Sequence, residues 1–217
     1  MGGLMIWICA YRDWAKEIYH NVSKDIECSL TESRLQLKNS APSFGKNDKI
    51  FFLGWSWKVP IKLINNLDCI CLHPSPLPKY RGGSPIQHQI LNNEPVSAVT
   101  YFKMNEDLDT GPIMFQKRFS LEGSLGEIFN RISEVGKIGL LNIVQRSPSC
   151  ILQDETKSTL YKRRTPEQSE IKLSDFSEKT AEFLYNKIRA LQDPYPNAFI
   201  VCADGKKIFI KVAYCEK

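Results

Sequence analysis

A histidine and an aspartate in two separate polar segments are the residues best suited to acid–base chemistry. His73 begins a proline-rich loop directly after an apolar run, and Asp109 lies in an acidic turn about three dozen positions later. A carboxylate beside an imidazole fixes its tautomer and favours the protonated ring, which prepares the ring to exchange a proton near neutral pH. A plainer reading stays open, because an aspartate before Thr110 and Gly111 is more often a turn residue.

The loop after His73 has the composition of a preorganised binding loop. Pro74, Pro76 and Pro78 remove backbone donors and fix φ, while the two glycines at 82–83 let a ligand approach the main chain closely. Open α/β sheets bind ligands in loops of this kind, at the carboxyl ends of parallel strands. The alternative is an ordinary proline-rich surface turn.

The segments that precede these loops predict a doubly wound parallel α/β sheet. Short apolar runs that alternate with helix-compatible stretches are typical of strands that are buried on both faces and joined by helical crossovers. The polar stretch at 23–49 contains one further candidate strand, at 26–30. We predict strands at 4–10, 49–53 and 69–72, and helices at 13–22 and 59–66.

The middle of the chain predicts two strands and a long helix. The strands, at 97–104 and 112–119, flank the acidic turn that holds Asp109. Ser124 with Glu127 three residues later is a capping-box signature, which indicates where the helix begins. Apolar residues then recur at helical spacing, so we expect the helix to run to about residue 144.

The last third of the chain changes character. A basic segment at 161–164 precedes a predicted helix at about 177–191, and Asp204-Gly205 is a strong signal for the turn of a hairpin. We therefore predict a catalytic core at 1–150 and a small C-terminal α+β appendage, a helix plus a hairpin, at 151–217.

The composition of the chain excludes several classes of protein. Its 217 residues, 42% hydrophobic and 24% charged, suit a folded core, and the net charge of +5 comes without the basic block of a nucleic-acid-binding tail. No apolar run approaches the roughly 18 residues that a membrane span needs. Seven cysteines without a CxxC pair indicate reduced thiols, and three histidines without zinc-like spacing argue against a metal site. We expect a cytoplasmic protein without a metal.

Two motifs taken together resemble one family. The segments LHPSPLPKYRGGSPIQHQI at 72–90 and MNEDLDTGPI at 104–113 resemble the formyltransferase superfamily that uses N10-formyltetrahydrofolate. Further segments at 52–60, 163–169 and 189–199 look most like the sugar N-formyltransferases. The resemblance implies a Rossmann-like, mostly parallel sheet and the transfer of a formyl group from the folate to an acceptor amine.

The resemblance also implies the catalytic roles. By motif position His73 would be the catalytic imidazole and Asp109 its partner, and Cys71 stands where the family has a catalytic asparagine. A thiol is a weak hydrogen-bond donor, and the loss of one oxyanion donor typically costs about 10²–10³ in rate. We expect an enzyme that is slowed but active, in which Cys71 is not a nucleophile, because formyl transfer to an amine needs no covalent intermediate.

Two sets of binding residues follow from the resemblance. Apolar walls with backbone donors and acceptors at the edge suit a flat pterin, and the family's loop commonly has a cis bond at Leu77-Pro78. Cationic side chains on the loop, Lys79 and Arg81, would bind a pyrophosphate of the acceptor. Core packing for the tryptophans and a solvated basic face for the cations stay open. The folate set is Trp55, Ser56, Trp57, Ser75, Pro76, Leu77, Pro78, Gly83, Asn105 and Asp109, and the acceptor set is Lys79, Tyr80, Arg81, Gln87 and Tyr195.

The acceptor amine is the part of the function that the residues determine least. The tail past Lys162 is shorter and less basic than the C-terminal barrel of methionyl-tRNA formyltransferases, so we expect neither a nucleic acid nor a membrane as partner. The segments at 163–169 and 193–199 favour a nucleotide-linked amino sugar, such as a dTDP-4-amino-4,6-dideoxyhexose, and a role in polysaccharide biosynthesis. Glycinamide ribonucleotide is the alternative acceptor, and Cys71 keeps open a weakly active or inactive binding module. A homodimer is among the possible assemblies.

Overall fold

The computed structural model describes residues 4–216, so the ends of the predicted core and appendage, at 1–3 and 217, lie outside the described residues. The strands are β1 (Ile6–Ala10), β2 (Ser29–Thr31), β3 (Lys49–Leu53), β4 (Asp68–His73), β5 (Arg81–Gly82), β6 (Val96–Lys103), β7 (Ile113–Ser120), β8 (Leu160–Tyr161), β9 (Ala198–Val201) and β10 (Lys207–Ile210). The α-helices are α1 (Asp13–Val22), α2 (Arg34–Ser40), α3 (Ile61–Asn66), α4 (Pro85–Leu91), α5 (Leu125–Arg146), α6 (Asp175–Glu178) and α7 (Ala181–Arg189).

A six-stranded sheet forms the centre of the fold, in the order β2-β1-β3-β4-β6-β7. The first four strands of the sequence run parallel, and β6 and β7 are antiparallel. The prediction of a mostly parallel α/β sheet is therefore confirmed. The predicted bounds of α1 and β3 agree with the structure residue for residue.

Both faces of the sheet are covered, which explains why its strands read as continuous apolar runs. In β3, Phe51 and Leu53 pack against one apolar cluster, while Ile50 and Phe52 pack against a second cluster on the opposite face. The first cluster includes residues of α1 and α5. The buried sheet is the rigid support from which the loops at its carboxyl edge extend.

Helix α5 begins and packs as its sequence indicates. Ser124 and Glu127 form the predicted capping box. At Gly139 an added Cβ would lie 2.7 Å from ring atoms of Tyr101 and Phe115, so this helix approaches the sheet as closely as a glycine permits. Within residues 4–216, no helix has both the length and the apolar character needed to cross a membrane.

The C-terminal part differs from its prediction at one point. The predicted single helix at 177–191 is two helices, α6 and α7, because Lys179 is extended and the side chain of Thr180 accepts a hydrogen bond from the N–H of Phe183. Thr180 is thus an N-cap that starts a new helix. The predicted hairpin is present as β9 and β10, with Gly205 at a φ of 77° in its turn.

Candidate active site

The carboxyl ends of three parallel strands meet at one edge of the sheet. Leu53 of β3 pairs with Ala10 of β1 on one side and with Leu72 of β4 on the other. The segments that follow these strands, including 54–57 and the loop from His73, therefore leave the sheet at the same level. This is the edge at which open α/β sheets bind ligands.

The ring of His73 faces a protein group at each nitrogen. The residue is 6% exposed; Nε2 lies 2.7 Å from the backbone oxygen of Tyr80, and Nδ1 lies 3.6 Å from Oδ2 of Asp109. A carbonyl oxygen can only accept, so Nε2 carries the proton of the neutral ring and Nδ1 carries the lone pair. The structure thus brings the two motifs together and places the nitrogen that can take up a proton beside a carboxylate.

Asp109 is held in a strained backbone conformation. Its φ of 56° lies in the left-handed region, which few residues other than glycine adopt. Oδ2 accepts a hydrogen bond of 2.8 Å from the N–H of Gly82, and the backbone oxygen accepts one of 2.9 Å from the side chain of Gln153. These bonds offset the conformational cost and keep the carboxylate directed at His73.

Gln153 joins the loop that follows His73 to the turn that holds Asp109. Its Nε2 donates to the backbone oxygens of Asp109 and Gly111, at 2.9 and 2.7 Å. Its Oε1 accepts two hydrogen bonds from the guanidinium of Arg81. Sequence reasoning missed Gln153, because it stands 44 positions after Asp109 and belongs to neither motif.

Arg81, expected to bind the acceptor, pairs with side chains of the segment after α5. Its side chain is 7% exposed, and its guanidinium donates to both carboxylate oxygens of Glu155, at 2.7 Å each. The hydrogen bond to Glu155 raises the pKa of Arg81 above its ordinary value. Since this bidentate pair occupies the guanidinium, the geometry does not support the expectation that Arg81 binds a pyrophosphate.

The proline-rich loop is tied to the antiparallel strands behind it. The backbone oxygen of Ser75 accepts a 2.6 Å hydrogen bond from Thr100, and that of Leu77 accepts a 3.0 Å bond from Gln116. The hydroxyl of Ser75 donates to the backbone oxygen of Lys79 at 2.8 Å, and the expected cis peptide bond at Leu77-Pro78 is present. The loop is therefore fixed along its length before any ligand binds.

Cys71 lies two residues before His73 on β4, on the same side of the strand. Burial raises the pKa of its thiol well above the ordinary value, and the charge of Asp109 acts in the same direction. A thiol that stays protonated is a poor nucleophile. This geometry supports the expectation that Cys71 forms no covalent bond to the formyl group.

Aromatic side chains form a wall at the same edge. The ring of Trp57 lies 4.3 Å from that of Tyr11 and 4.8 Å from that of Trp55, measured between centroids. The hydroxyl of Ser56 accepts hydrogen bonds from Tyr11 at 2.7 Å and from Arg12 at 3.2 Å. Tyr11 and Arg12 were not among the expected residues; the signal that could have found them is their position directly after β1.

One polar atom of this wall is a candidate contact for a ligand. The buried Nε1 of Trp55 has no hydrogen-bond partner among residues 4–216. Because buried polar groups are nearly always paired, an acceptor at the edge of a flat ligand would complete its bonding.

The other expected acceptor residues are dispersed. Tyr80 is buried, with its hydroxyl donating to Glu94 at 2.7 Å, and burial raises its pKa to about 12. Lys79 is exposed, whereas Gln87 is 2% exposed on α4. Tyr195 lies near the aromatic wall, because the Arg12 guanidinium is 5.8 Å from its ring centroid.

The two remaining folate candidates make contacts within the protein. Asn105 is exposed and accepts a hydrogen bond from Thr110 within its own turn. Gly83 donates to the backbone oxygen of Tyr161 at 2.9 Å, and a Cβ at this position would lie 2.4 Å from the Cα of Arg163. Glycine is therefore required at 83 by the close approach of another chain segment.

A groove of about 720 Å³ runs between α1 and α5, next to the aromatic wall. It contains neither His73 nor Asp109, and it meets the wall only through Tyr11 and Arg12. The seven cysteines are free, and within residues 4–216 no cluster of three or more histidine, cysteine or acidic side chains could hold a metal ion.

Family models match both parts of the chain. One described as formyl transferase matches residues 46–144, and one described as formyl transferase, C-terminal domain, matches residues 164–217. A methionyl-tRNA formyltransferase from Lysinibacillus sphaericus is 37% identical over 64% of this chain and 45% of its own length. The chain thus spans about half the length of the curated relatives that it matches.

Solved structures share the whole fold. A methionyl-tRNA formyltransferase from Clostridium thermocellum has a TM-score of 0.83 at 26% identity, covering 96% of this chain and 97% of its own. A Mycobacterium tuberculosis protein described as a candidate sugar N-formyltransferase has a TM-score of 0.80 at 21% identity, with 99% of each chain covered. HypX from Aquifex aeolicus in complex with tetrahydrofolic acid has a TM-score of 0.80 at 20% identity, over 98% of this chain and 38% of its own.

Proposed function

The chain belongs to the formyltransferase superfamily, and from this membership we propose that it transfers a formyl group from N10-formyltetrahydrofolate to the amine of a nucleotide-linked amino sugar. The observation that carries the proposal is the meeting of His73 and Asp109 at the carboxyl edge of the sheet, 3.6 Å apart. Both come from the two motifs on which the resemblance rests.

The reaction exchanges one carbon–nitrogen bond for another. The folate supplies the formyl group; the acceptor nitrogen bonds to the formyl carbon, and the bond between that carbon and N10 breaks. The acceptor amine loses one proton and N10 gains one, so a group that takes up a proton and returns it balances the reaction. We assign this role to Nδ1 of His73, since Nε2 already donates to the backbone of Tyr80.

Asp109 and Cys71 are the residues that face the charges that develop during the reaction. A proton at Nδ1 of His73 lies beside the carboxylate of Asp109, which stabilises the charge that the ring acquires. Negative charge that develops on the formyl oxygen needs a donor, and Cys71 offers only a weak one. We therefore expect turnover that is slower than an asparagine at this position would allow.

The residues beside the catalytic pair fit a folate. The rings of Trp55 and Trp57 meet edge to face and give an apolar surface, and the Nε1 of Trp55 is an unused donor within it. The loop at 75–78 adds a fixed backbone whose carbonyl oxygens at 76–78 each have a second lone pair that can accept, while its two N–H groups, on Ser75 and Leu77, already donate to His73 and Ser75. Support also comes from HypX, which has the same fold and was solved with tetrahydrofolic acid bound.

A nucleotide-linked amino sugar is the acceptor that we propose. The segments at 163–169 and 189–199 resemble sugar N-formyltransferases, and a candidate member of that group shares the fold over 99% of each chain. The aromatic ring of Tyr195 beside Arg12 offers a surface on which a base or sugar could stack.

Methionyl-tRNA is a second candidate acceptor, which the curated relatives favour. The Clostridium thermocellum protein is described as a methionyl-tRNA formyltransferase although it matches this chain end to end, at 96% and 97% coverage. The length of the tail therefore does not exclude tRNA, contrary to our expectation from the sequence.

A direct assay tests the function. The purified chain is incubated with N10-formyltetrahydrofolate and, separately, dTDP- and UDP-linked amino sugars, glycinamide ribonucleotide and methionyl-tRNA, and the release of tetrahydrofolate is followed by absorbance. We expect turnover with a nucleotide-linked amino sugar, and a drop of at least about 10²-fold in His73→Ala and in Asp109→Asn.

The matched control is His20→Ala, which removes an exposed histidine of α1 and should keep the full rate. Turnover with methionyl-tRNA alone would replace the sugar by the second acceptor. Folate binding without turnover on any of these amines would identify a binding module and overturn the proposal.

A further inference from the structure

Arg164 is a cation without a carboxylate partner. It is half-buried, and no acidic group lies within 4.0 Å of its guanidinium in the described part of the chain. One terminal nitrogen donates to the backbone oxygen of Gln168 at 2.7 Å, while the buried Nε has no acceptor at all. Burial lowers the pKa of Arg164. A guanidinium in this state has bonding capacity that an anion would satisfy.

A second unsatisfied group lies on the neighbouring helix. Gln87 is 2% exposed, and neither its Nε2 nor its Oε1 has a hydrogen-bond partner within residues 4–216. It stands one turn after Ser84, whose hydroxyl accepts a 3.1 Å hydrogen bond from the N–H of Arg164. A helical side chain leans back over the turn that precedes it, and for Gln87 that turn begins at Ser84, the residue that binds the backbone of Arg164.

Two more nitrogen-bearing side chains, His88 and Lys187, lie near these groups, with the carboxylates of Asp175 and Glu170 also acting on Lys187. His88 lies on the same face of α4 as Ser84, and its Nε2 is 2.9 Å from the backbone oxygen of Lys162. Burial lowers the pKa of both His88 and Lys187, and the charge of Arg164 contributes to lowering each of them. We call Ser84, Gln87, His88, Arg164 and Lys187 the Arg164 cluster.

The Arg164 cluster and the catalytic pair are joined by three consecutive residues. The N–H of Gly82 donates to the carboxylate of Asp109 at 2.8 Å, and the hydroxyl of Ser84 accepts from the backbone of Arg164 at 3.1 Å. Two residue steps of extended chain cover roughly 7 Å. One small acceptor molecule can therefore reach both places at once.

We infer that the Arg164 cluster binds a phosphoryl group of the acceptor, with Arg164 and Gln87 as its ligands. The inference rests on the proposed function and adds to it the place where a nucleoside diphosphate is bound. It also explains why phosphate binding does not require Arg81, since the guanidinium of Arg81 pairs with Glu155 whereas that of Arg164 has no such partner. A phosphoryl group has the charge for a guanidinium and the acceptor oxygens for the amide of Gln87.

Binding of dTDP in the absence of folate tests the inference without using the enzymatic reaction. Titration calorimetry compares the wild type with Arg164→Gln and Gln87→Leu. The matched control is Arg163→Gln, the exposed neighbouring arginine. We expect Arg164→Gln to weaken dTDP binding at least about tenfold and Gln87→Leu to weaken it several-fold, with Arg163→Gln near the wild type.

A thermal melt of each variant shows that it is folded, and Arg164→Lys serves as the conservative variant that should restore part of the affinity. Equal affinity for dTDP in all folded variants would overturn the inference. So would a loss in Arg164→Gln that appears only with a tRNA acceptor-stem fragment and not with dTDP. Failure of the proposed function shows differently, as a wild type that binds dTDP through Arg164 but formylates none of the amines.

Discussion

At the scale of single residues, the proposed reaction should be most sensitive to the identity of residue 71. Cys71 offers a weak donor where negative charge develops, and burial with the charge of Asp109 keeps its thiol protonated. We predict that Cys71→Asn keeps the formyl-transfer rate or raises it, by up to about 10²-fold if the amide reaches the formyl oxygen. Single-turnover rates of Cys71→Asn and Cys71→Ala, both checked for folding, give the comparison. A complete loss of transfer in both folded variants would show that the thiol has a direct role.

The sequence identified candidate residues that lie in motifs, but it did not identify the residues that bind them in the fold. His73 and Asp109 could be paired because the two segments that hold them, taken together, resemble one family, whereas their spacing alone left a turn role for Asp109 open. Arg81 could not be placed, since the residues that bind it, Gln153 and Glu155, lie 72 and 74 positions away in a segment without a motif. The spacing of residues within a motif does not indicate whether a charged side chain pairs with a partner far away in the sequence.

At the scale of elements, the segment that follows α5 fixes the position of the loop that holds Arg81 relative to the turn that holds Asp109. Gln153 donates to the backbone of Asp109 and accepts from Arg81, so one side chain connects both loops. We predict that Gln153→Leu lowers kcat at least about tenfold while KM for the folate changes little, because the carboxylate loses its alignment with His73. Steady-state kinetics with both substrates measure kcat and KM separately.

Two further variants separate positioning by Gln153 from general stability. Gln153→Glu keeps an acceptor for Arg81 but cannot donate to the backbone of Asp109, so it should resemble Gln153→Leu. Leu152→Ala alters the exposed neighbouring residue, which is 83% exposed, and should leave kcat unchanged. A lower melting temperature with kcat unchanged in Gln153→Leu would contradict the positioning role.

Elements with a strong apolar period were predicted closely, and those without one were not. Helix α1 and strand β3 agree with their predicted bounds because their buried faces fix the pattern. Helix α2 was missed, since only Leu37 of its seven residues is buried. The single predicted helix at 177–191 divides at Thr180, where a side-chain cap interrupts a stretch whose composition alone suits one helix.

At the scale of the whole molecule, the two edges of the sheet have different roles. The carboxyl edge of the parallel strands carries His73, while the opposite edge, from which the turn that holds Asp109 departs, carries a charge ladder across three strands. Asp68, the first residue of β4, lies 2.7 Å from Lys49 of β3 and 3.2 Å from Lys103 of β6. We predict that a mutation at Asp68 separates stability from chemistry.

Asp68→Asn should destabilise the fold and leave formyl transfer intact. Burial acts to raise the pKa of Asp68, but hydrogen bonding and charge from Lys49, and then Lys103, hold it below the ordinary 3.8. A lowered pKa in the folded state gives stability that is present above about pH 4 and is lost as the pH falls through the folded pKa. We predict a melting temperature roughly 2–4 °C lower at pH 7, as a loss of about 1 kcal/mol implies for a chain of this size, and a difference that shrinks as the pH falls through the lowered pKa of Asp68. Calorimetric melts between pH 2 and 7 measure this difference in melting temperature, with the exposed Asp107→Asn as control.

A difference in melting temperature that is the same at every pH would rule out the charge ladder as its source. A lower kcat in Asp68→Asn would show that the two edges are coupled.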